Sequence, residues 1–213
     1  MLEELVRSAT GTDARDHVRM VDKQLSVGFR FGYVKHLSAG RHAAELVPLV
    51  DDPLIRCSFR SMFSWALVLG AYYSDAYEQA NLLVSDATDY RVDLALPYGY
   101  ATTAAALVGI RHFEESMEAI DRAAWEARRV NDDNGVQNAY AIRTRILLQL
   151  QLVEEACATE PPDLDTALPS MKGEVIGSRA LALATLGRVD EARALARAAA
   201  DCTHGIEANT LAA

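Results

Sequence analysis

The sequence of this 213-residue chain is poor in cysteine and proline, and it lacks long uncharged apolar runs. Its three cysteines, Cys57, Cys157 and Cys202, are too scattered for a disulfide framework, so we expect them to be small buried apolar residues. No stretch approaches the ~18 apolar residues that a membrane-spanning helix needs. The acidic start, residues 1–5, also lacks the apolar core of a signal peptide, and a cytoplasmic location is the expectation.

Clustered positive charge is missing as well. The net charge is −9, and it is uneven, because residues 1–60 carry a net +1 whereas residues 61–213 carry −10. Sequence-independent binding to nucleic acids relies on clustered lysines and arginines that neutralise phosphates. We therefore expect this chain to make no direct contact with nucleic acid.

Motifs for metal binding, phosphate binding and nucleophilic catalysis are also absent from the sequence. The five histidines form no HExxH pair, and neither a GxxxxGKS/T loop nor a GxSxG elbow occurs. The carboxylate pairs at 114–115 and 154–155 fall at predicted helix starts, where acidic groups favour the positive end of the helix dipole. The sequence therefore predicts no cofactor, no metal and no enzymatic activity.

The chain is rich in helix-forming Ala, Leu, Glu and Arg, and the apolar residues show no strand-like alternation, so the fold class is predicted as all-α. Four segments share a pattern of one apolar residue, two polar or acidic residues and one small residue. The small residues, spaced by 36, 40 and 36, are Ala80, Ser116, Ala156 and Ala192. The residues nine positions earlier, predicted to fill the seam between helices, are Ala71, Leu107, Leu147 and Leu183.

This repeat predicts five helical hairpins in a single domain. They span about 24–50, 54–90, 95–131, 135–160 and 170–202, after an additional helix over 12–23. Asp52 is predicted to cap a helix that starts at Pro53, and Pro97 to open another helix. Gly40 and Gly187 are assigned to the tight turns of the first and last hairpins. Pro161 and Pro162 are expected to end the preceding helix early, and residues 161–169 are expected to form an irregular loop.

The hairpins resemble tetratricopeptide repeats, with the best match in the segment 186–195, Leu-Gly-Arg-Val-Asp-Glu-Ala-Arg-Ala-Leu. Phrases such as Arg-Arg-Val-Asn-Asp at 128–132 resemble the central sensor region of large LuxR-type bacterial transcription activators. The resemblance covers about residues 24–202. It implies a right-handed solenoid that receives an inducer or a partner protein, and the single repeat domain is assigned to residues 1–213. An ATPase domain and a DNA-reading domain flank such regions, so the chain is expected to be a segment of a longer regulator, with the next repeat cut off after residue 205.

The aromatic residues are concentrated in the first half of the chain, where thirteen lie between Phe29 and Phe113. In a solenoid of hairpins the first helices line the concave face. Tyr and Trp offer large contact area and a polar atom, which suits a ligand or peptide groove. The predicted groove, which passes from aromatic to polar residues, contains Phe29, Tyr33, Met62, Trp65, Leu69, Tyr72, Tyr98, Asn138 and Arg145, followed by Glu174 and Leu181.

Two alternatives stay open for these aromatic rings and for the function. The rings of the stripe Met62, Trp65, Leu69 and Tyr72 line either the groove or the core, whereas Phe59 and Phe63 are expected in the core. The first function is a non-enzymatic sensor or interaction module of a LuxR-type regulator, which binds an inducer or a partner protein. The second is a stand-alone scaffold that binds peptides or assembles complexes.

Self-association through the C-terminal end is a further expectation. The last hairpin has no covering neighbour, and solenoid ends need a polar cap. The apolar positions expected to be exposed there are Leu195, Ala198 and Ala199.

Overall fold

The structure is a computed structural model that describes residues 11–31, 36–165 and 167–202. In these segments the regular structure is entirely helical, which confirms the predicted all-α class. The α-helices are α1 (Gly11–Phe31), α2 (Leu37–Leu46), α3 (Pro53–Leu69), α4 (Tyr73–Asp89), α5 (Leu96–Gly109), α6 (Phe113–Arg129), α7 (Asp133–Gln149), α8 (Val153–Ala158), α9 (Pro169–Thr185) and α10 (Val189–Cys202). Two single-turn 3-10 helices occupy Val47–Leu49 and Asp93–Ala95.

Consecutive helices pack in pairs, α1 with α2, α3 with α4, α5 with α6, α7 with α8, and α9 with α10. The first helices of successive pairs also pack against one another, so that α1, α3, α5, α7 and α9 form a row. Across the described segments, every helix is either too short or too polar to traverse a lipid bilayer.

Several helix boundaries agree with the capping signals of the sequence. The Asp52 carboxylate accepts hydrogen bonds from the backbone N–H groups of Leu54 and Ile55, and Pro53 starts α3. Pro97 lies in the first turn of α5. Helix α8 ends at Ala158, before the two prolines, and the described part of the segment up to residue 168 contains no helix. These predictions are confirmed.

Six of the turns between described helices share one backbone geometry that the sequence did not reveal. Each has a left-handed residue two positions after the helix end, at Ala71, Arg91, Arg111, Asn131, Gln151 and Gly187. At the first turn, the N–H of Tyr72 donates to the carbonyl of Leu67 at 2.9 Å, and the other turns repeat this bond. The first five left-handed residues are 20 positions apart and none of them is a glycine, so of the six only Gly187 was identified as a turn residue.

Gly40 is not a turn residue, contrary to the sequence-based assignment. It is the fourth residue of α2 and is buried, and a Cβ at this position would lie 2.5 Å from the ring of Phe63. Gly40 therefore allows α2 to approach α3 closely. Helix α1 also runs without a break through the predicted boundary at 23–24, because its buried face continues across that boundary from Val18 through Val21 to Leu25.

The predicted repeat register is wrong by one helical turn at Ala80. Each second helix has a buried small residue at its fourth position, and these equivalent residues are Gly40, Ala76, Ser116, Ala156 and Ala192. The buried residues nine positions before the last four of these are Leu67, Leu107, Leu147 and Leu183. Ala80 matched the pattern because residues four apart share one helix face. Ala71, predicted in the seam, is instead an exposed turn residue.

The core contains Phe59 and Phe63, as predicted, and their rings stack with centroids 5.5 Å apart. Of the cysteines, only Cys57 is fully buried, whereas Cys157 and Cys202 are half-buried. Ala199, expected at an exposed end, is buried, because it lies two turns after Ala192 on the face of α10 that packs against α9. The predicted continuation after residue 205 lies outside the described residues.

Candidate functional site

The candidate site is the face that α3, α5, α7 and α9 present along their row, here called the inner-helix face. It is defined by two sets of equivalent positions, both counted from the buried leucine of each first helix. One set lies nine residues before that leucine, and the other lies two residues before it. The first set is Ser58, Tyr98, Asn138 and Glu174. The second set is Trp65, Ala105, Arg145 and Leu181.

The aromatic end of this face lies on α3. Met62 and Trp65 are half-buried there. Met62 packs against the core between α1 and α3, and Trp65 packs against the core formed by α5, α6 and α7. Leu69, at the end of α3, is 47% exposed. Trp65 therefore both contributes to packing between repeats and presents part of its surface.

Tyr72 does not continue this stripe, contrary to the sequence-based interpretation. Helix α3 ends at Leu69, and the left-handed Ala71 turns the chain before Tyr72 is reached. Tyr72 precedes α4 and is 49% exposed, and the Arg41 guanidinium of α2 lies 5.1 Å from its ring centroid. Phe29 lies in α1, but its side chain, like the whole of Tyr33, lies outside the described residues.

Tyr98 links α5 to the start of α7. The carboxylate of Asp132, which precedes α7, acts on this half-buried side chain electrostatically. Burial raises the pKa of Tyr98, and the negative charge of Asp132 raises it further, so the phenol stays neutral. The Asp132 Oδ2 atom is buried and has no hydrogen-bond partner within the described segments.

The polar end of the face is an ion pair between α7 and α9. Arg145 Nη2 lies 2.9 Å from Glu174 Oε2, and Arg145 Nε donates to the Ala141 carbonyl at 3.2 Å. The Glu174 side chain is buried and that of Arg145 is partly exposed. Because a buried carboxylate needs a counter-charge, Glu174 fixes the guanidinium at the surface. Asn138 is half-buried, two turns before Arg145 on α7.

A small open cavity of about 200 Å³ lies beside the first positions of this face. Its lining comes from one side of α3, from the 3-10 helix Asp93–Ala95 with its preceding residue, and from α5. The lining residues are Leu54, Cys57, Ser58, Ser61, Val92, Leu94, Ala95 and Tyr98. This cavity was not predicted from the sequence, although Leu54, Cys57, Ser58 and Ser61 follow the spacing of a single helix face.

These side chains provide apolar contact, hydroxyl groups and one oriented guanidinium. Burial raises the pKa of the Cys57 thiol to about 11, so it is an uncharged part of the cavity wall. Within the described segments, no three His, Cys, Asp or Glu side chains lie close enough together to hold a metal ion. The arrangement suits recognition of a partner surface.

No protein-family model matches the sequence, and no curated protein matches it. A solved structure, that of BtubC (BKLC) from P. vanneervenii, is similar to this chain with a TM-score of 0.56 and 15% sequence identity. The similarity covers 94% of this chain and 90% of that chain. At this identity the likeness concerns the fold alone.

Proposed function

We propose that this protein is a non-enzymatic interaction module that binds a protein or peptide partner on the inner-helix face. The observation that carries the proposal is the row of first helices, which presents Trp65, Tyr98 and Arg145 on one side of the molecule. Trp, Tyr and Arg are the residue types most enriched where binding energy concentrates. Because Glu174 already holds the Arg145 guanidinium in place, this side chain loses less conformational entropy on binding than a free arginine would.

We further propose that the helix pairs build a right-handed solenoid of five tetratricopeptide-like hairpins, with the inner-helix face on its concave side. The recurring small residue of each second helix, the recurring buried leucine of the first helices α3, α5, α7 and α9, and the regularly spaced left-handed turns support this arrangement. The fold likeness to BtubC is consistent with it.

A protein or peptide partner fits the face better than a small-molecule inducer does. Pockets for drug-sized ligands enclose roughly 300–1,000 Å³. The cavity beside the inner-helix face is smaller, at about 200 Å³. A partner that spreads over several helices would use the exposed Leu69 and Leu181 as well as the half-buried aromatic side chains.

The proposed biological setting is the sensor segment of a LuxR-type regulator, as the resemblance of the repeats implies. The alternative is a stand-alone scaffold that assembles complexes through the same face. The reading frame of the gene separates the two, because a regulator encodes an ATPase domain before these repeats and a DNA-reading domain after them. A frame without those domains contradicts the regulator.

Site-specific photo-crosslinking tests the proposed face. Benzoylphenylalanine replaces Leu69 or Leu181 on the inner-helix face, or Leu82 on α4 as the control with comparable exposure. In cells of the source organism, the two inner-face positions should capture the same partner after irradiation, and Leu82 should not. Equal capture from all three positions, or capture from Leu82 alone, would contradict the proposal.

A further inference from the structure

Two histidines meet where the first two helices pack against each other. His17 lies on α1 and His42 on α2, and their imidazole rings contact edge to face with centroids 5.4 Å apart. Both residues are half-buried, so this histidine pair lies within the α1–α2 interface. Histidine is the side chain whose ordinary pKa lets its charge change between about pH 5 and 8. The interface therefore contains two groups that can become charged on mild acidification.

One nitrogen of the histidine pair is shut off from solvent. His17 Nε2 is buried and has no hydrogen-bond partner within the described segments. A neutral imidazole tolerates this position, because one of its two ring nitrogens carries no hydrogen. Protonation would place an N–H donor and a share of positive charge at this buried atom, and both carry a desolvation cost there.

The other charged groups of the packed helices lie at the surface or bind elsewhere. The ionisable residues of α1 and α2 beside the pair are exposed, and they are Asp13, Arg15, Asp16, Arg19, Arg41 and Glu45. Arg15 binds Asp52, and Arg41 binds Asp75 of α4. On α3, Arg56 and Arg60 bind Asp86 of α4, and the 3-10 helix Val47–Leu49 has no ionisable residue.

The surroundings of His17 favour its neutral form. Burial lowers the pKa of His17 below its ordinary value of 6.5, and the charge of His42 lowers it further. The buried carboxylate of the same helix, Asp22, accepts a hydrogen bond from Ser58 of α3. The packing of α1 is therefore at full strength above pH 6.5 and weakens as the pH falls below this value, because protonation then favours the separated state.

We propose that the histidine pair is a pH-sensitive latch, which holds α1 against α2 at neutral and alkaline pH and loosens when both imidazoles are protonated. Two positive charges in contact repel each other, and the buried nitrogen of His17 regains water only if α1 moves away from α2. The face that α1 would then expose is apolar, since Val18, Val21 and Leu25 are buried in the core. The latch does not depend on the proposed function of the inner-helix face.

Hydrogen–deuterium exchange, corrected for the intrinsic pH dependence of amide exchange, tests the latch. Between pH 8 and pH 5 the protection of the α1 amides should fall several-fold. The protection of the α7 amides, three helix pairs further along the chain, should change much less. Ordinary carboxylates stay ionised over this range, since they titrate near pH 4.

Substitutions of the histidines separate the latch from a general effect of acid. His17→Leu keeps the buried position filled and uncharged at every pH, so the protection of α1 should become independent of pH in this range. His42→Gln removes the repelling charge and should reduce the fall in protection without abolishing it. His36→Gln before α2 and His112→Gln before α6 are the controls, and both should leave the fall unchanged.

A second measurement on the wild-type protein keeps the test decisive if His17→Leu does not fold. The imidazole resonances followed by NMR should give His17 a titration midpoint below pH 6.5, and the amide shifts of α1 should follow that midpoint. Four results would overturn the proposal: constant α1 protection from pH 8 to pH 5, an equal fall in His17→Leu, a fall that either control substitution removes, or a His17 midpoint at or above pH 6.5. An equal loss of protection in α7 would also overturn it, because acid would then destabilise the whole fold.

Discussion

Two buried carboxylates at equivalent positions of successive repeats are neutralised in different ways. Asp86 of α4 binds Arg56 and Arg60 of α3, at 2.6 and 2.7 Å. Glu126, forty residues later on α6, binds Arg122 and Arg129 of its own helix. The ion pairs of Asp86 therefore join the two helices of its pair, α3 and α4, whereas those of Glu126 stay within α6.

Asp86→Asn should therefore destabilise the protein strongly. The variant leaves the buried Arg60 without its carboxylate, and loss of one partner of a buried ion pair costs about 3–5 kcal/mol. Urea unfolding measures the free energy. Asp89→Asn, at an exposed position of the same helix, is the control and should change it by less than about 0.5 kcal/mol. Equal effects of both substitutions would contradict the assigned role of Asp86.

The same carboxylate predicts a pH dependence. Burial raises the pKa of Asp86, but hydrogen bonds from Arg56 and Arg60 outweigh burial and hold it below the unfolded value of 3.8. The carboxylate therefore stabilises the fold fully above about pH 4, and this contribution is lost as the pH falls through the folded-state pKa. The stability difference between wild type and Asp86→Asn should shrink in urea titrations from pH 5 to pH 2. A difference in unfolding free energy that stays constant over this pH range would contradict the assigned role of Asp86.

Gly40→Ala separates helix propensity from packing. Propensity alone predicts a gain of about 1 kcal/mol for alanine inside α2. The new methyl group would lie 2.5 Å from the Phe63 ring, and overpacking of this kind costs about 1–3 kcal/mol. We expect a net loss in chemical unfolding, with Ser38→Ala on the same helix as control. A gain in stability would show that α2 and α3 do not approach this closely.

At the scale of the helix, the shared turn geometry sets the length of each repeat. From α3 to α7, each helix with its turn occupies 20 residues, so successive pairs repeat every 40 residues. Arg91, Arg111 and Gln151 adopt left-handed φ values of 57, 66 and 62° although a Cβ disfavours them. Hydrogen bonds back to the preceding helix and packing of the next helix hold these residues in place.

Gly187→Ala and Arg111→Gly should have opposite effects on stability. The left-handed φ of 84° at Gly187 means that a Cβ there costs about 1–2 kcal/mol. Glycine at Arg111 relieves the same strain and should stabilise the fold by up to about 1 kcal/mol. Part of this gain is offset because glycine gives the unfolded chain more conformational entropy. Thermal unfolding of both variants measures the two shifts. If both substitutions shift the melting temperature in the same direction, strain at these turns is not the cause.

The elements could be predicted where the signal was local. Asp52 and Pro53 mark the start of α3 because the capping chemistry lies within a few residues. The turn at Arg111 could not be recognised, because long-range packing imposes its conformation on an arginine. The register error at Ala80 has a similar origin, since both Ala76 and Ala80 are buried and only the turn tells them apart.

At the scale of the whole molecule, the inner-helix face combines expected and unexpected features. Trp65, Tyr98 and Arg145 lie on helices of one row, as the repeat pattern predicted. Tyr72 lies outside this face because the chain turns before it. The cavity was not predicted, because its wall at Leu94 belongs to a 3-10 helix whose place depends on contacts with α3 and α5.

The C-terminal end differs from the expectation at one residue, and its self-association stays a prediction. Ala199 is buried, and Leu195 and Ala198 are half-buried, so the apolar surface of α10 is smaller than the sequence suggested. A partner molecule at this end would still cover Leu195 and Ala198. The molar mass in light scattering, followed with increasing concentration, reports such association.

The most direct test of the central claim is the affinity for the crosslinked partner after matched substitutions on two faces. Leu69→Glu and Leu181→Glu alter exposed positions of the inner-helix face, and Leu82→Glu alters a comparably exposed position of α4. Isothermal titration calorimetry should show a Kd raised about tenfold or more by each inner-face substitution, because each buries a charge against the partner. Leu82→Glu should leave the Kd and the melting temperature unchanged. A Kd that rises with Leu82→Glu but not with the inner-face variants would contradict the account.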